Sequence, residues 1–273
     1  MSTSTIRKIG SSGDERKFYC LIRVKLDVPA TSSGFEITLQ ELKSWIIYED
    51  ERLLVVDKPA LVVCHPSKNG PWSSLIGACR EYSGLETLHM PSRLDRETSG
   101  VIVFAKDREL GSTLQTAIEQ RRVRKMYRAI VHGTLESTLT VDQPIGLDGT
   151  GPVHIRQWAR PDGAAAVTEF TPVQIGKGYT LVDVSPKTGR MHQIRVHAAW
   201  MGHPIVGDKI YGPDQQMFLD FIESGWTPEL EARLELPRHA LHASKIRFEW
   251  PGGALGFSAP FAPDLEAFWS TKL

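Results

Sequence analysis

PSRLDRETSGVIVFAKD, residues 91–107, sets a charged knot against the end of an apolar run. One carboxylate, Asp95, lies between two guanidiniums, Arg93 and Arg96, and Thr98-Ser99-Gly100 follows. Val101 to Ala105 is a short, purely apolar run bounded by turn residues, which predicts a strand covered on both faces. The knot itself has two readings. It is a surface loop with incidental ion pairs, or it holds one aspartate ready for chemistry. Arginine suits the second role, because its planar fork stays charged and orients a carboxylate through two hydrogen bonds. Positive charge nearby also favours the ionised aspartate. The neighbours Arg93 and Arg96 could supply it, or a distant arginine such as Arg195, and spacing does not choose between them.

Downstream, Asp107 is placed to cap a helix carrying Leu110, Leu114 and Ile118 on one stripe, ending at the Arg121-Arg122 pair. VRKMYRAIVHG then alternates, with Val123, Lys125, Tyr127, Ala129 and Val131 on one side, and predicts a strand. Upstream, LLVVDKPALVVCHP reads as a strand from Leu53, a turn at Lys58-Pro59 and a second extended piece ending at His65-Pro66. Residues 142–165 are loop-like, and TLVDV (180–184) is strand-like. Residues 190–201 fit a helix with Ile194, Ala198 and Met201 on one stripe and Gly202 as stop; His192 and Arg195 share a neighbouring face. SKIRFEW, ending at Trp250, alternates as a further strand. This order predicts an α+β protein, a mixed sheet with helices packed on it. Residues 1–17 read as a disordered tail, 18–49 as a short extension with a strand over 18–26 and helical spacing over 38–47, and 50–273 as the main domain.

Of the 273 residues, 41% are apolar and 23% charged, ordinary for a soluble globular chain. Cys20, Cys64 and Cys79 are few, odd in number and scattered, which predicts a reducing compartment without disulfides. The N-terminus has no signal-like apolar core and no run approaches the roughly 20 apolar residues of a membrane span, so a cytoplasmic protein is expected. Net charge is zero, yet segregated. Residues 106–133 carry seven Lys/Arg against three acids, whereas 214–235 carry six acids against Arg233 alone. A basic face for an anionic partner survives that neutrality. No metal site is expected. His239 with His242, and His192 with His197, lack the spacing of a helical zinc pair, and no Cys or Glu completes a set. GLDGTG (146–151) reads as a turn, not a phosphate loop, and no Ser or Cys sits in a nucleophile elbow.

RLDRETSGV (93–101) resembles the RLDxxTSG signature of the RluA-type RNA pseudouridine synthases. Further likenesses follow in the family's order: DKPALVVCHP (57–66), KMYRAIVHG (125–133), GRMHQIRVHAAWMGHPIVGDKIYG (189–212) and the ALHA within 238–248. The resemblance implies the pseudouridine-synthase fold, a central, largely antiparallel mixed sheet with flanking helices and loops. It also implies isomerisation of uridine in ribosomal or transfer RNA without metal, nucleotide or redox cofactor. Carried over by position, Asp95 is the catalytic aspartate, Tyr127 the aromatic residue against the uracil, and Arg195 the cation paired with the aspartate. Arg93 is the residue expected to enter the base stack where the uridine leaves it. Lys58, His65, Arg96, Arg121, Arg122, Arg124, Lys125 and His192 are the further expected RNA contacts. The leader is too short for the S4 RNA-binding domain that many relatives carry, so RNA contact is expected from the core, and the chain is expected to be a monomer. Two positions depart from the family's pattern: Ser92 stands where it usually has His, and Leu61 where it usually has Gly.

Overall fold

The computed structural model describes residues 36–65 and 70–273; the expected tail (1–17) and strand (18–26) lie outside the described residues. Helix α1 (Leu39–Trp45) opens on a reciprocal cap. The Thr38 hydroxyl accepts from the Glu41 N–H, and the Glu41 carboxylate accepts from the Thr38 N–H. The chain then extends into β1 (Ile46–Glu49), antiparallel to β2 (Leu53–Lys58), while Ile37 and Leu42 bury under the sheet. The described part of the 18–49 extension is thus built into the main sheet.

A short 3-10 turn over Pro71–Ser73 leads into α2 (Leu75–Ser83), and the apolar run of the opening stretch becomes β3 (Ser99–Ala105), buried at every residue. The reason is visible in the packing. Alternate residues of β2 and β3 feed two cores: Leu54, Val56, Ile102 and Phe104 pack with α1 and α2, whereas Leu53, Val55, Val101 and Val103 share a cluster with α3 (Arg108–Glu119). Asp107 caps α3 as expected, accepting from the Leu110 N–H at 2.8 Å, and Leu110 and Leu114 form its buried stripe.

Next come β4 (Val123–His132), β5 (Leu139–Asp142), β6 (Ile145–Leu147), β7 (Gln157–Ala159), β8 (Val167–Ile175) and β9 (Tyr179–Pro186). They are followed by α4 (Gln193–Trp200), α5 (Gln216–Ser224), α6 (Pro228–Leu234), β10 (Leu241–Trp250), β11 (Gly253–Ser258) and α7 (Pro263–Ser270). Among the described residues nine strands join in one sheet, ordered β1-β2-β3-β10-β4-β9-β8-β5, with β11 added on β10. Among the described strands β3 and β10 are the one parallel pair; the other pairings are antiparallel. The α+β expectation holds.

Four expectations are corrected. Residues 142–165 are not wholly loop, since β6 and β7 pair as a small separate sheet. The second extended piece expected to end at His65-Pro66 is, over Val62 to His65, irregular chain that caps α2, with the Val63 and Cys64 carbonyls accepting from Leu75 and Ile76. The helical spacing over 38–47 ends at Trp45, where Ile46 turns extended. The helix expected at 190–201 begins at Gln193, because His192 adopts a left-handed backbone with φ 55°.

Candidate active site

The Thr-Ser-Gly turn sits where the two parallel strands meet. Ser99 and Gly100 pair with His242 and Ala243, and Gly100 has φ 112°. A Cβ there would lie 2.2 Å from the Ala243 carbonyl oxygen, so glycine is required for the strands to approach. The side chains before it are tied across the same seam: Thr98 Oγ1 to His239 Nε2 at 2.7 Å and Ser99 Oγ to His242 Nδ1 at 3.0 Å. These histidines therefore serve as hydrogen-bonding groups of the seam. Among the described residues no group of three or more His, Cys, Asp or Glu gathers as for a metal ion.

From this anchor the chain runs back through a tight turn, Thr98 N–H to the Asp95 carbonyl at 3.2 Å. Lys58 braces the turn from below. It was expected to meet RNA, yet it is fully buried at the end of β2. Its ammonium donates to the carbonyls of Pro59 (2.8 Å), Val62 (2.9 Å) and Arg96 (3.0 Å). Three acceptors match its three protons, and burial pushes its pKa down to about 7. Cys64 adds a thiol contact to the Leu94 carbonyl at 3.2 Å. Leu61 stands in a left-handed conformation, φ 70°, the backbone that glycine adopts without strain.

Asp95 is thereby held facing α4. Arg195 Nη1 donates to Asp95 Oδ2 at 3.1 Å, and its Nε and Nη2 grip both oxygens of Asp208 at 2.7 and 2.8 Å. Asp208 is buried and also accepts from the Ile210 and Tyr211 N–H groups, each at 3.0 Å. Burial alone would raise its pKa, but the Arg195 charge and hydrogen bonds outweigh that and hold the carboxyl well below its ordinary range. The guanidinium also lies 5.0 Å from the Tyr211 ring centroid. Asp208 and Tyr211 were not singled out from the sequence; both stand in GDKIYG, where a carboxylate precedes a tyrosine by three residues.

His192, immediately before α4, completes this side. Its Nδ1 lies 2.8 Å from the Tyr211 hydroxyl, which accepts from the Gln157 N–H at 2.8 Å. Assigned from that network, the phenol proton goes to Nδ1, so Nε2–H faces Asp95 Oδ2 at 3.9 Å. Burial, and next the Arg195 charge, push the imidazole pKa down to about 4.

A cavity of about 120 Å³ opens beside Asp95. Tyr127 of β4 lines it with Lys125, Arg93, Leu94, Ile194 and Leu241. Burial, and next the Asp95 charge, raise the Tyr127 pKa, so the phenol keeps its proton. Burial lowers Lys125 to about 8. Asp95, Tyr127 and Arg195 are thus brought together, with Arg93, Lys125 and His192 beside them. Arg93 is exposed at the rim. Arg121, Arg122 and Arg124 are exposed where β4 begins, and His65 is exposed near the Pro59 turn; none of the four lines this cavity.

Comparisons with known proteins bear on the family and the fold. Residues 52–200 match the family model described as RNA pseudouridylate synthase. The chain is 35% identical over 233 residues to the ribosomal large subunit pseudouridine synthase D of Nitrosomonas europaea, covering 81% of this chain and 63% of that protein. It is 33% identical to the protein of the same name from Vibrio vulnificus, over 83% of this chain and 70% of the relative. A solved structure, human RNA pseudouridylate synthase domain containing 4, superposes with TM-score 0.64 at 27% identity, covering 84% of this chain and 92% of the human one. On the family match, the identities and the shared fold, the chain belongs to the RNA pseudouridylate synthase family.

Proposed function

We propose that this protein isomerises uridine to pseudouridine in ribosomal RNA, acting on a flipped-out base with Asp95 as the catalytic carboxylate. The observation that carries the reading is the Asp95–Arg195 contact at the mouth of the Tyr127 cavity. A uracil stacked in a helix hides C1′ and C5 from any side chain, so the nucleotide must leave the stack at a cost of a few kcal/mol. The flat guanidinium of Arg93, exposed at the rim, recovers part of that cost by stacking in the gap. Asp95 then assists cleavage of the C1′–N1 bond, the uracil turns within the cavity, C5 joins C1′, and the C5 hydrogen leaves as a proton while N1 takes one up, so that the net change is an isomerisation. Leu94, Ile194 and Leu241 keep that space partly apolar, which suits a detached base that must not escape to water. The neutral Tyr127 phenol lies against the ring as the proton-handling group. The exposed Arg121, Arg122 and Arg124 take RNA phosphates beyond the cavity.

The test maps pseudouridine across ribosomal and transfer RNA in cells with and without this gene, and then with Asp95→Asn. The reading expects a ribosomal site to vanish on deletion and to stay absent with Asp95→Asn, while RNA affinity is nearly retained. A variant that forms pseudouridine at the wild-type rate refutes the role of Asp95.

A further inference from the structure

Asp95 borders more than the Tyr127 cavity. A second cavity of about 330 Å³ shares Asp95, His192 and Arg195 with the first. Its far wall is apolar and comes from the acidic segment of the sequence: Phe218, Phe221 and Ile222 of α5, facing Ile155 and Ile210. Ile155 is 49% and Ile222 43% exposed, an unusual position for two large aliphatics beside a polar site.

The wall is fixed relative to Asp95. Lys209 is buried, donates to Glu97 Oε1 at 2.8 Å and to the Pro237 carbonyl at 2.6 Å, and sits 4.6 Å from the Phe221 ring centroid and 5.7 Å from that of Trp226. Glu97 is two residues after Asp95 and also accepts from the His239 N–H at 3.1 Å. One ammonium therefore couples the Asp95 loop to α5 through an ion pair and a cation–π contact.

We propose that this second cavity is a base-binding subsite for a nucleotide flanking the target uridine, with Phe218, Ile222 and Ile155 as the surface on which that base packs. The proposal rests on the uridine-isomerising function above. When a uridine leaves the stack, its neighbour loses a stacking face, and an apolar wall continuous with the reaction site offers a replacement that every base can use. Charge sets the orientation. Arg96 lines the same cavity and attracts the connecting phosphate, whereas α5 lines it with Phe218, Phe221 and Ile222 and carries no cation. The backbone is thus kept on the arginine side and the base is turned toward α5. The α5 wall thereby offers a base a packing surface and a phosphate no cation.

The experiment uses a synthetic RNA hairpin carrying the mapped target uridine, and the same hairpin with an abasic residue at each flanking position. Ile155→Ser, Ile222→Ser and the double variant are assayed beside the full wild-type chain, with thermal unfolding as the folding control. On the intact hairpin the variants should raise KM by about tenfold, the scale of one base-stacking contact, with kcat within twofold. One abasic position should impose the same penalty on the wild type and no further penalty on the double variant. Wild-type KM in all variants, or an abasic penalty undiminished in the double variant, overturns the proposal. So does a fall in kcat at constant KM, which would mean that the cavity receives the uracil itself. Failure of the wild type to form pseudouridine would remove the parent reading, a result distinct from normal turnover with unchanged KM.

Discussion

Arg195 is shared by two carboxylates, Asp95 at 3.1 Å through one nitrogen and Asp208 at 2.7 and 2.8 Å through the other two. The unequal sharing separates two tasks. Asp208 fixes the guanidinium, and the guanidinium then aims Asp95. Arg195→Lys keeps the charge but cannot fork to both, so kcat should fall about a hundredfold through misplacement of the carboxylate. Asp208→Asn leaves a buried guanidinium short of a charge and should cost about 3–5 kcal/mol of stability. Urea unfolding with steady-state kinetics on both variants separates the tasks; equal loss of stability in both contradicts the division.

Tyr127 holds its proton because burial and the Asp95 charge raise its pKa. On the proposed function, the phenol rather than the phenolate is the form that acts. Tyr127→Phe retains the ring and removes the proton, so kcat should drop at least about a hundredfold with KM nearly unchanged. A variant with full kcat would limit Tyr127 to a packing surface.

Much of this arrangement was legible beforehand, and the exceptions have physical causes. Val101–Ala105, Asp107 as a cap and the alternation around Tyr127 each carry a local signal that packing then reinforces. Lys58 misled because a lysine before proline reads as exposed; nothing nearby in the chain reveals that the carbonyl of Arg96, 38 residues on, turns toward it. Asp208 was not singled out because its partner lies 13 residues earlier on a helix that the sequence does not dock. Strands of three residues, such as β6 and β7, are too short to display a period. His192 in a left-handed backbone has no sequence signature at all.

Gly100→Ala tests the seam between β3 and β10. The added methyl would meet the Ala243 carbonyl at 2.2 Å, and the positive φ adds strain. Loss of about 2–3 kcal/mol is expected, since backbone on both sides resists movement. Thermal unfolding measures it, and a neutral substitution would mean that the strands separate easily.

Acid should weaken the fold in a defined window. Burial pushes His192 and His242 down to about 4, and His239 lies well below its ordinary value. Unfolded, each titrates near 6.5. Between about 6.5 and 4 the unfolded chain binds more protons, so stability falls as pH drops, by about 1.4 kcal/mol per unit for each ring. Asp57, raised by burial to about 6, opposes this with one group against three. A pH series of unfolding curves should slope downward on acidification from 6.5; a flat or opposite slope contradicts the buried neutral rings.

Thr98 and Ser99 meet His239 and His242 across 141 and 143 residues of chain. The ribosome makes the loop early and its clasp late. At roughly 5–20 residues per second, the Asp95 loop waits roughly 7–30 s for the segment that steadies it. The seam that steadies the Asp95 loop therefore cannot close on a growing chain before residues 239 and 242 have been made.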